Sequence, residues 1–546
     1  MKTNFLIFLC LIGLLTNFKT LSQQKINIIP QPQEVIVGKD KFTIDSQTKI
    51  VSIEESKTAA VLLQNFLQEG MDNRVEIVDS KKTVAGSITF KLDKDQSKEG
   101  YELEISKKGI EILASNTTGW FYGLQSLKQL FPVGFEFSAK KVEAVELPTV
   151  KIEDAPRFGW RAFMLDESRY FKGKEQVKML LDEMALLKMN VFHWHLVDDQ
   201  GWRIEIKKYP LLTEIGSKRK STQVGALKWK SPIQSGEPHE GYYTQQEIKE
   251  IVEYASKRHI TIVPEIEMPG HSSAAIAAYS WLGTNKEDIE VPIKFGVGPD
   301  VYDVSDPKVY QFLTDVLDEV MGLFPSKVIH IGGDEVKYNH WKSSESVQAY
   351  MKEKGLATPA ELQVYFTNDI SQYLQSKGRR MMGWNEIMGH NVHDFQDASD
   401  TESKQQLAQE TVIHFWKGDV TLANQAASSG YDIVNSLHSS TYLDYDYKSI
   451  PLSKAYDFDP IPADLDPKYH NKVIGTGCQM WGEWIPTNGY MHFQVFPRIA
   501  AYAEVGWTEK KNKNYESFKL ALKNLQTRWE QLGIYSAPES VVDKQD

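Results

Sequence analysis

Two cysteines in 546 residues leave little for disulfide chemistry. Cys10 falls in an apolar N-terminal stretch and Cys478 is the other, so removal of that stretch would leave no possible internal disulfide. A large exported chain without disulfides fits a bacterial periplasm or surface better than an animal secretory route. Long apolar runs are also scarce. Phe5 to Leu15 is too short to span a bilayer, and no later segment reaches that length. Positive charge is in deficit, with 62 Lys and Arg against 73 Asp and Glu and a net charge of −11. That balance argues against nucleic acid or an anionic membrane as partner. No sequence repeat of solenoid period is visible.

What is present begins with a leader. Lys2 supplies a positive start, Phe5 to Leu15 an apolar core, and Leu21-Ser22 a small residue near a plausible cut, so residues 1–22 read as a signal peptide. Cys10 lacks the small residues expected before a lipidated cysteine, which favours cleavage over a lipid anchor. Cleavage would remove Lys2 and Lys19 and no acid, leaving the mature chain more negative still. The remaining composition, 41% hydrophobic and 25% charged, is that of an ordinary globular protein, and the length calls for more than one domain.

Residues 23–150 alternate short strand patterns, such as Ser87 to Leu92 and Tyr101 to Ile105, with helical patterns around 57–69 and 118–131. They predict a small α+β domain, closed near Glu153-Asp154-Ala155-Pro156. From Trp160 the pattern becomes strand, helix, strand, helix. Strands are expected at 160–166, 190–198, 260–267, 327–334, 379–386, 411–417, 431–437 and 473–482, with helical periodicity between most of them. Eight such units predict a (β/α)8 TIM barrel over 155–510, with a doubly wound sheet as the alternative. Residues 511–546 read as a C-terminal helical extension, with a helix near 514–533 on the outside.

The stretch Val328 to Val336 carries the most information. An apolar run ends in Gly332 and Gly333, then in two adjacent acids, Asp334 and Glu335. Glycines there let the chain turn and let a ligand approach, and two carboxylates in different environments can divide protonated and ionised roles. Taken alone the pair also reads as a charged turn. The other expected strand ends change that balance. In order they bring Asp166 and Arg169; His193, His195, Asp198 and Arg203; Glu265, Glu267 and His271; Trp384 and Glu386; His414 and Trp416; Tyr442 and Asp444; and Trp481 and Glu483. Individually these are rim tryptophans, core histidines or acids paired with basic residues. Together, aromatic faces beside carboxylates and an arginine suit a sugar ring, whose C–H face packs on aromatics and whose hydroxyls need charged partners.

In this set the chain resembles glycoside hydrolase family 20, the β-N-acetylhexosaminidases. The resemblance rests on Asp166-Glu167-Ser168-Arg169, His193 to Arg203, Pro269-Gly270-His271, His330 to Glu335, Gly383-Trp384-Asn385-Glu386, Tyr442-Leu443-Asp444 and Trp481-Gly482-Glu483, in the family's order. The 23–150 segment is similar to the family's N-terminal domain. The resemblance implies a retaining, substrate-assisted mechanism, an exception to the usual two-carboxylate scheme. Glu335 would be the general acid and then the base. Asp334 would hold the 2-acetamido N–H, and Tyr442 the acetamido carbonyl of an oxazolinium-forming substrate. Asp198 and His271 would relay to Glu335. Arg169 would bind the 3- and 4-hydroxyls, Glu483 the 4-hydroxyl and Asp444 the 6-hydroxyl. Trp384 and Trp416 would wall the acetamido pocket and Trp481 would stack under the ring. The scheme needs no metal or cofactor. It expects a raised pKa at Glu335, and an Asp334 that stays ionised where it faces a forming positive charge. The expected partner is a carbohydrate ending in a 2-acetamido-2-deoxy sugar.

Two rivals stay in view. One is a metal-dependent barrel hydrolase built on His193 and His195, with His271, His330 and His414 as further ligands. The other is a sugar-binding protein without catalysis, although both acids of the pair are present.

Overall fold

The computed structural model describes residues 26–82, 84–390, 392–393 and 406–543, so the expected leader lies outside the described residues. The N-terminal part is a seven-stranded mixed sheet that begins at Glu34–Ile44 and ends at Val145–Asp154. The two helices expected there, Lys57–Gly70 and Thr117–Lys128, pack against it.

Eight parallel strands then close a barrel. They are β1 (Trp160–Asp166), β2 (Val191–His195), β3 (Thr261–Glu265), β4 (Val328–His330), β5 (Arg380–Trp384), β6 (Val412–Phe415), β7 (Asp432–Asn435) and β8 (Val473–Met480). The strand-helix alternation in the sequence is thus a closed TIM barrel and not a doubly wound sheet. Alternation along the strands sorts the side chains. Ala162, Val191, Val263, Val328, Met382, Val412 and Val434, one from each of β1 to β7, form a single apolar cluster. Two residues further on, β2 and β3 present His193 and Glu265, while β4 presents His330 and β6 His414, all fully or almost fully buried. The outward set, including Phe163, Phe192, Trp194 and Ile262, joins the large core under the helices.

The fourth strand is shorter than the expected 327–334. It ends at His330, because Gly332 and Gly333 turn the chain with φ of 66° and 88°. The outer helices follow the sequence periodicity closely, as in Lys174–Leu186, Gln245–Ser256, Pro307–Leu323 and Pro359–Ser376. The segment between β7 and β8, expected to be long and irregular, carries short helices at His438–Thr441 and Leu452–Asp457. The C-terminal helix, Tyr515–Gln531, buries Trp529 and lies outside the barrel. Its Arg528 pairs with Glu136 of the N-terminal domain and Glu183 of a barrel helix.

Candidate active site

The carboxyl ends of the strands are where a barrel of this kind builds its site. Gly332 and Gly333 put Asp334 and Glu335 there. A Cβ on Gly332 would stand 1.7 Å from Glu267 Oε2, and one on Gly333 2.4 Å from Ile387. Glu335 itself has φ 54° and His271, after β3, φ 47°. Left-handed backbone at a non-glycine residue is uncommon and strained, and it gathers at functional sites. Asp334 is 7% exposed and its Oδ1 has no protein partner among the described residues, while Glu335 keeps 26% of its side chain exposed.

His271 lies between the two acids and a second pair. Its Nε2 is 3.6 Å from Glu335 Oε2 and 3.8 Å from Asp334 Oδ2. Its Nδ1 is 3.1 Å from Asp198 Oδ1 and 3.3 Å from Asp199 Oδ2. Burial disfavours its charge, but Asp198, Asp199 and Glu335 outweigh burial and hold the imidazole well above its ordinary range. Asp198 also takes Arg169 Nη2 at 2.8 Å and His195 Nε2 at 2.9 Å. Against its burial, these partners keep Asp198 well below the usual carboxylate range.

In the free site, with no positive charge forming, the acid pair leans the opposite way from the roles expected during turnover. Burial, with Glu386, Glu335 and Glu265 nearby, raises Asp334 well above an ordinary carboxylate, despite the opposing charge of His271. Burial would raise Glu335 too, but its hydrogen bond to His271 and the charges of His271, His393 and Arg169 bring it below its usual value. In the free site these directions favour the proton on Asp334 and the charge on Glu335. Sequence could not reveal this, because the deciding charge is an imidazolium from another strand end.

Four aromatic side chains form a box beside the pair. Trp384, fully buried, lies 6.3 Å from Trp416 and 5.8 Å from Trp481 by ring centroid. Trp416 stacks on Tyr442 at 6.0 Å and 7°, and Tyr442 stands 5.9 Å from Trp481. Across from it, Arg169 is fixed by Asp166 at 3.2 Å, Asp198 and Gln200, with its guanidinium over the Trp481 ring. Glu483 approaches Arg169 at 4.0 Å, and Asp444 interacts electrostatically with Glu483. Burial raises both of these carboxyls, with the Asp444–Glu483 repulsion adding to Asp444. The residues singled out for catalysis or sugar binding in the sequence are thus linked by contacts at the carboxyl ends of the strands.

Some contributors were not assigned from sequence. Glu386 accepts from Trp416 Nε1 at 2.9 Å and lies 2.9 Å from His393 Nε2, whose Nδ1 is 3.7 Å from Glu335 Oε1. His393 sits in a loop with no pattern to mark it. Asp199 and Gln200 were visible only as part of a motif block.

The histidines of the metal alternative divide. His193 and His330 surround Glu265 with donor atoms close together, but this group is fully or almost fully buried beneath the Trp384 ring. A catalytic metal needs a coordination position open to substrate, and none faces the pocket there. The grouping that reaches the pocket, His271 with Asp334 and Glu335, would have to release the imidazole proton that Asp198 and Asp199 favour before the ring could bind a metal.

The family model described as glycosyl hydrolase family 20, catalytic domain, matches residues 158–510, and that for the family's domain 2 matches 25–155. The chain belongs to glycosyl hydrolase family 20. It is 37% identical over 526 residues, 93% of its length, to a β-hexosaminidase of Porphyromonas gingivalis, and the match spans 64% of that relative. Among solved structures it resembles the family 20 exo β-N-acetylglucosaminidase of Vibrio harveyi in complex with N-acetylglucosamine, at 30% identity and TM-score 0.79, covering 94% of this chain and 78% of that one. A family 20 β-N-acetylhexosaminidase from Streptomyces coelicolor is 28% identical with TM-score 0.78, covering 94% of this chain and 98% of the other.

Proposed function

We propose that this protein is an exo-acting β-N-acetylhexosaminidase. It would remove terminal non-reducing N-acetylglucosamine or N-acetylgalactosamine from oligosaccharides or glycoconjugates, with retention and with the substrate's own acetamide as nucleophile. The observation that carries this reading is the adjacent Asp334 and Glu335 beside the closed box of Trp384, Trp416, Tyr442 and Trp481. A site with one acid for the leaving group and one acid facing a small aromatic box suits a 2-acetamido group better than a second protein nucleophile.

The geometry supports the following roles. Arg169, Glu483 and Asp444 hold the hydroxyls at the floor, which limits the site to chain ends. The acetamide N–H donates most strongly to Asp334 once that carboxyl has given up its proton. Glu335, ionised beside His271, can take that proton, since His271 Nε2 lies within 3.6 to 3.8 Å of both acids. Substrate binding would thus move one proton from Asp334 to Glu335 and load the general acid. Tyr442 then turns the carbonyl oxygen toward the anomeric carbon. Glu335 protonates the leaving oxygen, the oxazolinium ion forms against ionised Asp334, and Glu335 takes a proton from the water that opens it. No step calls on a metal. By its leader the chain would be exported to a bacterial periplasm or surface, which fractionation of the native host would test.

Turnover of a chromogenic 2-acetamido β-glycoside should exceed that of the plain β-glucoside by orders of magnitude. Equal hydrolysis of the two would sink the proposal, and so would an inverted product anomer by proton NMR.

A further inference from the structure

Beneath the pocket Glu265 collects an unusual set of partners. Oε2 lies 2.6 Å from His195 Nδ1 and 2.9 Å from His193 Nε2. Oε1 lies 2.9 Å from His330 Nδ1 and accepts from Trp384 Nε1 at 2.8 Å. Glu265, His195 and Trp384 are fully buried. From there His195 leads outward, with Nε2 at 2.9 Å from Asp198 Oδ2, and Asp198 leads to His271 and Glu335. The five groups form an unbroken line of alternating sign: Glu265 carboxylate, His195 imidazolium, Asp198 carboxylate, His271 imidazolium, Glu335 carboxylate.

Resting on the activity proposed above, we infer that Glu265 and His195 are positioning residues for the general acid: they fix the charge of Asp198 and His271, and through them the proton affinity of Glu335. The buried line offers little other purpose. A buried carboxylate ringed by histidines is costly to assemble, and apolar residues would fill the same space in a barrel more cheaply. It ends at Glu335, which keeps 26% of its side chain exposed. The charge states agree with this. Burial works against ionisation of both groups, yet His330, His195 and His193 keep Glu265 well below the usual carboxylate range, while Glu265 and Asp198 lift His195 to about 10. The other charged or titratable groups facing the pair are Asp166 and Arg169 after β1, Glu267 after β3 and His414 on β6. Glu265 also anchors Trp384, so a single carboxylate ties the acid relay to the wall of the aromatic box.

Glu265→Gln separates these two duties. The amide oxygen can still accept from Trp384 Nε1, while its NH2 faces His195 Nδ1 and requires that ring to be neutral. Along the line His195 stands one group nearer Glu335 than Glu265 does, so loss of its positive charge leaves Glu335 binding its proton more tightly. In Glu265→Gln the acidic limb of the kcat/KM profile should move up by half a pH unit or more. At the wild-type optimum, kcat should fall at least tenfold for a glycoside with a poor leaving group. It should fall less than threefold for one whose leaving group departs without a proton. His195→Gln, which keeps the donor to Asp198 and drops the charge, should move the limb the same way and serves if the first variant does not fold. An unmoved limb, or equal losses on both substrates in a folded variant, would overturn the inference. Failure of the wild-type protein to cleave either substrate would instead overturn the activity on which it rests.

Discussion

At the scale of single residues, the proposed mechanism needs an acid pair whose two members are adjacent in sequence but not equivalent. Glu335 reaches the pocket on a left-handed backbone with φ 54°, and Asp334 remains 7% exposed behind it. A non-glycine residue in that region costs on the order of 1–2 kcal/mol, which the packed turn after β4 must absorb. The arrangement gives each acid its own kinetic signature. Glu335→Gln should lower kcat by about 10²- to 10⁴-fold for alkyl or sugar leaving groups. It should spare a dinitrophenyl leaving group, so a similar loss on both substrates would remove Glu335 from the acid role. Asp334→Asn keeps size and removes the charge opposite the forming oxazolinium. It should cost about 10²- to 10³-fold in kcat with little change in KM, as for other contacts made in the transition state. Near-normal turnover in that variant would refute substrate assistance by Asp334.

At the scale of elements, the turn between β4 and the acids is the most constrained piece of chain. Gly332 combines φ 66° with a Cβ position 1.7 Å from Glu267 Oε2. Gly332→Ala should therefore cost at least about 1 kcal/mol through backbone strain alone. It must also displace Glu267 or Asp334. Expected together are a lower melting temperature and a kcat reduced beyond tenfold; an active, fully stable variant would show that the turn relaxes freely. This turn also marks where sequence was readable and where it was not. The apolar run, the paired glycines and the acids announced a strand end with chemistry, and the eight strand-helix units announced the barrel. Period-two alternation even put His193 with His195, and Glu265 with Glu267, on shared sides of their strands. What alternation could not supply was which strands face one another across the barrel interior. Glu265 was open to pairing with basic residues, and its partners proved to be histidines from β2 and β4 and a tryptophan from β5. The end of β4 at His330 was missed because apolar residues alone suggest a longer strand, while positive φ at the glycines ends the pairing early. His393 was missed because a loop histidine has no period at all.

At the scale of the whole molecule, buried ionisable groups bind the N-terminal sheet to the bottom of the barrel, away from the pocket. Glu504, 2% exposed on the helix Arg498–Trp507, accepts from the Gln31 backbone N–H at 2.8 Å, and burial pushes its carboxyl up to about 7. A carboxyl with a raised folded pKa contributes stability that is complete below its unfolded value and is lost as pH rises through about 7. The loss amounts to roughly 3 kcal/mol. Glu504→Gln should flatten the fall in melting temperature between about pH 4.5 and 7, and an unchanged slope would assign the pH dependence elsewhere. Asp154 is the stronger lock. Its carboxylate takes Lys188 Nζ at 2.9 Å, Tyr101 OH at 2.7 Å and Trp507 Nε1 at 3.0 Å, and neither Asp154 nor Lys188 exposes any of its side chain. Tyr101 belongs to the N-terminal sheet, while Lys188 and Trp507 belong to the barrel's outer layer, so one acid joins both. Asp154→Asn would leave the Lys188 ammonium buried without its counter-charge, at a cost of about 3–5 kcal/mol. Replacing Lys188 with Met in the same chain should return much of that loss, because removing both charges also removes their desolvation. Because this cluster lies at the end of the barrel opposite the acid pair, kcat measured well below the melting temperature should be unchanged in both variants. Chemical denaturation of the single and double variants measures the coupling directly. A single variant as stable as the wild type would mean that the Asp154 cluster does not hold the two parts of the molecule together.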